Sequence, residues 1–249
     1  MMAWYAFKRH LTVFRRTWWS NVAFNFIEPF LYLSALGIGL GAFIPQIDGI
    51  SYIQFIAPGM AAAAGMWAAT FECTYATFIR LHYQKSFHAM LAAPGTVAEA
   101  VTGDILFGAL KSMLFGLVIL IVIGLWGQIQ SPWAGLIPFF LLLPGTVFSL
   151  LALSYTGITP HIDYLGYYVT LFITPLYLFA GIFFPVSSMP AWVQYLAWVN
   201  PLYHSVEVCR ALVLGNIYAA LWLHVAILLA YTVCLGWLPA YLFRKRLIT

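Results

Sequence analysis

Six stretches of this chain are too long and too apolar for a water-soluble protein of its size to bury. They lie near 22–44, 53–79, 103–126, 133–156, 166–184 and 219–243. A helix needs about 20 predominantly apolar residues to cross a bilayer, and each stretch meets that length. The remaining surface cannot be wetted either. Only 7% of the 249 residues are charged and 63% are hydrophobic, whereas soluble domains carry about 25% charged residues. The chain is therefore expected to be an all-α membrane protein with six transmembrane helices, a single domain over 1–249. The first stretch follows a basic segment, but no small-residue cleavage site follows it, so it is expected to remain as a span.

The few charges are placed asymmetrically. Lys8, Arg9, Arg15 and Arg16 precede the first span, Arg80 and Lys85 follow the second, and Arg244, Lys245 and Arg246 end the chain. With an even number of spans these nine share one side, which the bias of basic residues toward the inside identifies as cytoplasmic. Both termini are expected there. The basic residues form no single face, which speaks against a nucleic-acid partner.

Two segments are neither span nor plain loop. Over 3–20, Trp4, Phe7, Leu11, Phe14 and Trp18 recur every three or four residues, with Lys8, Arg9, Thr12, Arg15 and Arg16 opposite. That pattern predicts an amphipathic helix lying in the headgroup layer against membrane lipid. Over 185–218, Pro185, Pro190 and Pro201 leave short apolar stretches near 191–199 and 203–214. Neither can span, so a re-entrant extracytoplasmic hairpin between spans five and six is expected, where irregular backbone must be covered by protein or a wet cavity.

Glu28, Glu72 and Lys111 fall inside predicted spans at similar depth. Ionisable groups there are costly and usually paired, so Glu72–Lys111 or Glu28–Lys111 is expected, either to fix packing or to line a polar path. Asp104 is positioned to pair with Arg80, and Glu207 with Arg210 one helical turn away. Gly37/Gly41 and Ala61/Gly65 have the small-xxx-small spacing of close helix contacts.

Enzyme chemistry finds little support. Cys73, Cys209 and Cys234 are far apart, and the six histidines form no metal-ligating cluster. The segment Gly103–Ser112 separates its second glycine from the lysine by two residues, whereas a P-loop requires G-K-[ST] contiguous. No catalytic residue, metal site or cofactor is expected in this chain. An ion-coupled secondary transporter remains an alternative, with Glu28, Glu72 and Lys111 as a relay.

Three blocks carry a resemblance: SYIQFIAPGM (51–60), MWAATFECTYATFIRLHYQKSFHAMLAAPGTV (66–97) and GDILFGALKS (103–112). A fourth, FAGIFFPVSSMPAWVQYLAWVNPLYHSVEVCR (179–210), joins an F-P-x-x-x-[LM]-P-x-W segment to P-L-Y-H and an arginine. Together they resemble the permease subunits of ABC-2 type transporters, most of all the nodulation protein J subfamily. Asp104 stands where that family usually has Glu, and Phe107 where Trp is frequent. The resemblance implies the type V exporter fold in a bacterial cytoplasmic (inner) membrane, with two copies of the permease. It also implies two copies of a cytoplasmic P-loop ATPase subunit, which bind the ATP and Mg. Segment 82–95 then corresponds to a coupling helix that meets the ATPase through Gln84, Lys85, Phe87, His88, Met90 and Leu91. The implied activity is outward export of an amphipathic lipo-oligosaccharide or glycolipid-like cargo, with another polysaccharide or a hydrophobic drug as the alternative. Trp67, Phe71, Tyr75, Tyr168, Phe172 and Tyr177 offer ring faces suited to sugars and acyl chains along a translocation path. Phe183, Phe184 and Pro185 correspond to an outer gate.

Overall fold

A computed structural model describes residues 2–247 apart from 45, 48 and 92–94; the side chains of 2, 19–26, 28, 29, 88 and 91 also lie outside that description. The expected roles of Glu28, His88 and Leu91 therefore fall outside the described residues.

Helix α1 (Met2–Ser34) continues through a π-helical turn (Ala35–Gly39) and a 3-10 turn (Leu40–Ala42). A two-residue ribbon, β1 (Gln46–Ile47) and β2 (Ile50–Ser51), reverses the chain with Gln46 opposite Ser51. There follow α2 (Tyr52–Phe71), a π-helical turn (Glu72–Ala76), α3 (Thr77–His82), α4 (Ser86–Leu91) and α5 (Val97–Leu125). A 3-10 turn (Pro132–Leu136) leads into α6 (Ile137–Phe140) and α7 (Leu142–Ile158). Helix α8 (Tyr164–Tyr167), a π-helical turn (Tyr168–Ile173) and α9 (Thr174–Leu178) form one further rod. After a 3-10 turn (Val186–Ser188) come α10 (Ala191–Val199), α11 (Pro201–Leu214), α12 (Leu221–Leu235) and α13 (Leu238–Leu247).

Helix α2 is the axis of the bundle. Its start is fixed by a capping box, in which Ser51 and Gln54 satisfy each other's backbone N–H groups. Sixteen of its twenty residues are buried, most of them Ala, Gly or Met. Small side chains let the neighbours approach closely. A Cβ on Gly65 of α2, or on Gly145 of α7, would come within 2.5 Å of the Ser112 side chain on α5. Three helices thus cross at Ser112, whose hydroxyl donates to the Leu141 carbonyl at 3.0 Å. The Ala61/Gly65 pattern is used within the chain.

Among the described residues, three helical stretches are long and apolar enough to cross a membrane: Val97–Leu125, Pro132–Ile158 and Leu221–Leu247. Phe30–Ala42 and Tyr164–Leu178 are shorter apolar helices.

Several expected boundaries move. No break separates the segment 3–20 from the first span: both belong to α1, which runs alongside α5 in the same direction. Ala6 abuts Gly103, Phe7 and Phe14 meet the edge of Phe107, and Phe30 meets Trp126. The aromatic stripe that predicted a headgroup-layer helix is partly spent on α5. The fifth apolar rod stops at Leu178, because the chain turns at Gly181 with φ +72°. Phe183, Phe184 and Pro185 therefore sit in irregular backbone. The last span is interrupted at Gly236–Trp237 and its helix resumes to Leu247.

At one end of the bundle lie the N-terminal half of α1, α3, α4 and the C-terminal end of α13; this basic end carries most of the lysines and arginines. At the other end α10 and α11 form a helical hairpin. Asn200 shapes their joint, accepting from the Leu202 N–H at 2.9 Å and donating to the Leu176 carbonyl at 2.7 Å. Arg210 ties the hairpin down. It stacks 4.1 Å from the Phe55 ring centroid, pairs with Glu207 at 2.6 Å, and donates to the Gly181 carbonyl at 2.7 Å. We expect Arg210→Ala to lower the thermal midpoint of the purified chain in detergent by several degrees, with Arg210→Lys recovering only part, since an ammonium lacks the planar fork. An unchanged midpoint in Arg210→Ala would remove this staple from the account.

Candidate functional site

The buried charges at the basic end are grouped by a change of helical pitch. The π-helical turn Glu72–Ala76 inserts one residue's worth of rotation at the end of α2, a feature frequent at functional sites. Thr156 of α7 directs its hydroxyl to the Cys73 carbonyl at 3.0 Å, within the turn. Arg80, two turns on in α3, then folds back on Glu72. Its Nη1 lies 2.5 Å from Glu72 Oε1, while its Nη2 donates to Thr77 Oγ1 at 2.7 Å and Asp104 Oδ2 at 3.1 Å.

Lys111 of α5 approaches the other Glu72 oxygen at 2.7 Å. Its ammonium lies 5.6 and 5.7 Å from the centroids of Phe14 and Phe107, within cation–π range. From α1, His10 Nε2 meets Asp104 Oδ1 at 2.6 Å and its ring stacks on Phe107 at 5.2 Å. Glu72 is 5% and Asp104 0% exposed. Glu72 and Asp104 with Arg80, Lys111 and His10 thus form a closed cluster joining α1, α2–α3 and α5. The Glu72–Lys111 and Asp104–Arg80 pairs stand as the depths of these residues suggest. His10 was missed by sequence reading; its spacing of three and four residues from Phe7 and Phe14, on the buried stripe, was the available signal.

The path candidates form a ladder rather than a ring. Tyr75 follows Phe71 at 6.0 Å, Phe71 stacks on Trp67 at 5.4 Å, Trp67 meets Tyr177 at 6.0 Å, and Tyr177 meets Phe183 edge-on at 5.3 Å. Beside it lies a cavity of about 330 Å³ lined by Trp67, Phe71, Tyr177, Met60, Tyr32 and Thr174 among others. Tyr168 is not on its wall. It is buried and stacks on Tyr155 at 4.8 Å and on Phe172 at 5.4 Å. Phe184 is exposed at the hairpin end and Pro185 is half-buried.

The segment joining α3 to α5 is not one continuous helix over its described residues: 83–85 are non-helical and only Ser86–Leu91 is helical. Lys85 adopts a left-handed φ of +49°, so α4 begins only at Ser86. Phe87 does not project outward. It is fully buried, its ring 5.3 Å from Phe243 of α13, because that apolar surface of the chain itself is the nearest cover. Gln84 and Lys85 are exposed and Met90 is half-buried. Helix α13 is held in turn by Arg246, which donates to the Thr156, Gly157 and Thr159 carbonyls at 2.8, 3.2 and 2.6 Å. A cation at a helix C-terminus satisfies carbonyls that have no partner within the helix. Arg246 also meets His82 Nε2 at 2.6 Å. Phe243 and Arg246 had registered in the sequence only as span and topology signals.

Removing one member of a buried ion pair typically costs about 3–5 kcal/mol. Lys111→Met is therefore expected to lower the thermal midpoint of the purified chain, and Glu72→Gln with Lys111→Met to restore much of the loss, since no uncompensated carboxylate remains. If both single and double variants melt with the native chain, the pair holds nothing together.

Comparison with known proteins covers these same elements. Residues 2–214 match the family described as ABC-2 type transporter. The chain is 35% identical over 247 residues to nodulation protein J of Rhizobium meliloti (strain 1021), covering 96% of this chain and 94% of that protein. It is 36% identical over 247 residues to nodulation protein J of Rhizobium leguminosarum bv. viciae, covering 96% and 95%. The inner membrane transport permease YadH of Escherichia coli (strain K12) is 24% identical over 202 residues, covering 81% and 78%. A family match across most of the chain, with relatives above 30% identity over nearly its whole length, places it: this chain belongs to the ABC-2 type transporter family.

Proposed function

We propose that the chain is the permease half of an ATP-driven exporter. It crosses the inner membrane six times with both termini in the cytoplasm, pairs with a second copy, and moves an amphipathic lipo-oligosaccharide or similar glycolipid outward. Two copies of a separate P-loop ATPase subunit supply ATP and Mg. The hairpin α10–α11 dips into the membrane from the outer side, and Phe183, Phe184 and Pro185 close the outer end of the path.

The observation that carries this reading is the construction of the basic end. The segment 83–91 offers exposed Gln84 and Lys85 while Phe87 anchors it internally on Phe243. Arg246 couples α13 to the end of α7. A short exposed element braced onto two helices suits a docking point that passes a partner's rigid-body movement into the bundle. His88, Met90 and Leu91 are assigned to the same contact. The aromatic ladder gives sugar rings and acyl chains a series of faces to pass, and resemblance to nodulation protein J favours a lipo-oligosaccharide as the cargo.

The test is recovery of the tagged permease from native membranes with mass spectrometry of what accompanies it. A stoichiometric P-loop ATPase is expected, and Gln84→Ala with Lys85→Glu should reduce its recovery at least tenfold without lowering the amount of permease. These exposed positions leave the Phe87–Phe243 contact intact. A well-folded permease that brings no ATPase under several mild detergents would overturn the reading.

A further inference from the structure

A second cavity, of about 460 Å³, opens at the basic end between α1, α3 and the start of α4. The charge cluster forms part of its wall, but the cavity also contains a cation the cluster does not use. Arg80 and Lys111 balance Glu72 and Asp104, and His10 is committed to Asp104. Arg9, half-buried on the same wall, makes no hydrogen bond or ion pair among the described residues. A half-buried guanidinium presents five N–H donors suited to a phosphate or sulfate.

The remainder of the wall is divided by polarity. Gln84 and Ser86 add polar groups from the connecting segment, whereas exposed Val13 and Ile79, with Phe14, make an apolar side. A free inorganic anion would have no use for that side. The depth is also informative. Arg15 and Arg16 are exposed one to two turns farther along α1, toward the hairpin end. Charged side chains there require water or headgroups at their level, so Arg9 lies no deeper than the headgroup region.

From this geometry we infer that the cavity between α1 and α3 binds the anionic headgroup, a phosphate or sulfate ester, of an amphiphile from the inner leaflet, with Arg9 as its principal contact. Arg9 fixes the anion, Gln84 and Ser86 border it, and the chain-bearing part of the molecule leaves along Val13, Phe14 and Ile79. Two sources have this chemistry, a membrane phospholipid and an anionic cargo. The site rests on residues of this chain and stands independently of the ATPase assignment.

The test is to purify the full chain in mild detergent with a delipidating wash and quantify retained amphiphiles by mass spectrometry. The native chain is expected to keep about one phosphate- or sulfate-bearing amphiphile per chain. Arg9→Gln should lower that at least fivefold, while Lys8→Gln, which removes an exposed cation from the same helix, should leave it unchanged. Ala76→Leu fills the cavity from the opposite wall with the cation in place, and should reproduce the loss should Arg9→Gln fail to fold. A retained glycerophospholipid assigns the site to the membrane; a retained phosphorylated or sulfated glycolipid assigns it to cargo. The inference is overturned if the retained lipid carries no anionic ester, if Lys8→Gln and Arg9→Gln lose it equally, or if neither Arg9→Gln nor Ala76→Leu changes retention.

Discussion

Glu72 and Asp104 are buried where close packing disfavours charge, and the arrangement of the basic end follows from neutralising them. A carboxylate that is fully desolvated and unpaired costs several kcal/mol, so the cations must arrive with little freedom. Arg80 bridges the two carboxylates from α3, and it can fold back on Glu72 because the π-helical turn lies between them. Lys111 fixes the rotation of α5 by reaching Glu72, and His10 fixes the position of α1 by reaching Asp104. That last contact needs α1 close to α5. Gly103 permits it, since a Cβ there would stand 2.6 Å from that of Ala6. Three helices are thereby locked by one cluster, and a rotation of any of them must break a charged contact.

The rest of the basic end is attached by a different chemistry. Phe87 against Phe243 is an apolar contact, and Arg246 on the end of α7 is a set of charge-assisted hydrogen bonds to carbonyls. Neither depends on the cluster, yet both converge on elements it touches, because α3 carries Arg80 and His82 within one turn. Under the proposed function, a partner bearing on Gln84 and Lys85 would act on α13 and α7 through Phe87 and Arg246, and on α5 and α1 through Arg80. The interruption of the last helix at Gly236–Trp237 lies just above this junction, at a position where α13 can change angle without α12.

Apolar length marked where some of the helices lie. The second predicted span, 53–79, falls within the continuous rod Tyr52–His82, and the short stretches near 191–199 and 203–214 coincide with α10 and α11. Prolines and an alternation of apolar with polar blocks suffice for that. Depth along a helix follows from residue count, which offered Glu72 or Glu28 as the partner of Lys111 and Arg80 as that of Asp104; Lys111 meets Glu72. Periodicity was less informative about what covers an apolar face. The stripe of Phe7 and Phe14 suits a lipid headgroup layer and a neighbouring helix equally, and only the tertiary contact with Phe107 separates them. The same ambiguity hid Phe87, whose burial depends on Phe243 more than 150 residues away. The end of the fifth span was missed because Ala180, Ile182 and Phe183 are as apolar as any span, while the turn is set by the positive φ of one glycine.

The two cavities divide labour in a way that bears on cargo selection. The one beside the aromatic ladder is lined by aromatic, aliphatic and small residues with one threonine, and carries no charged side chain. Ring faces of Trp67, Phe71 and Tyr177 can accept a sugar or an acyl segment, but they discriminate weakly between molecules of similar shape, because stacking and apolar contact are not directional. Under the proposals above, charge is read at the basic end, where Glu72 and Asp104 are already matched. A site that offers one uncommitted cation discriminates strongly, since a neutral headgroup leaves a half-buried guanidinium unpaired. Selection by charge at the point of capture followed by permissive aromatic contact along the path would let one scaffold handle amphiphiles of differing body length, provided that their anionic end is alike.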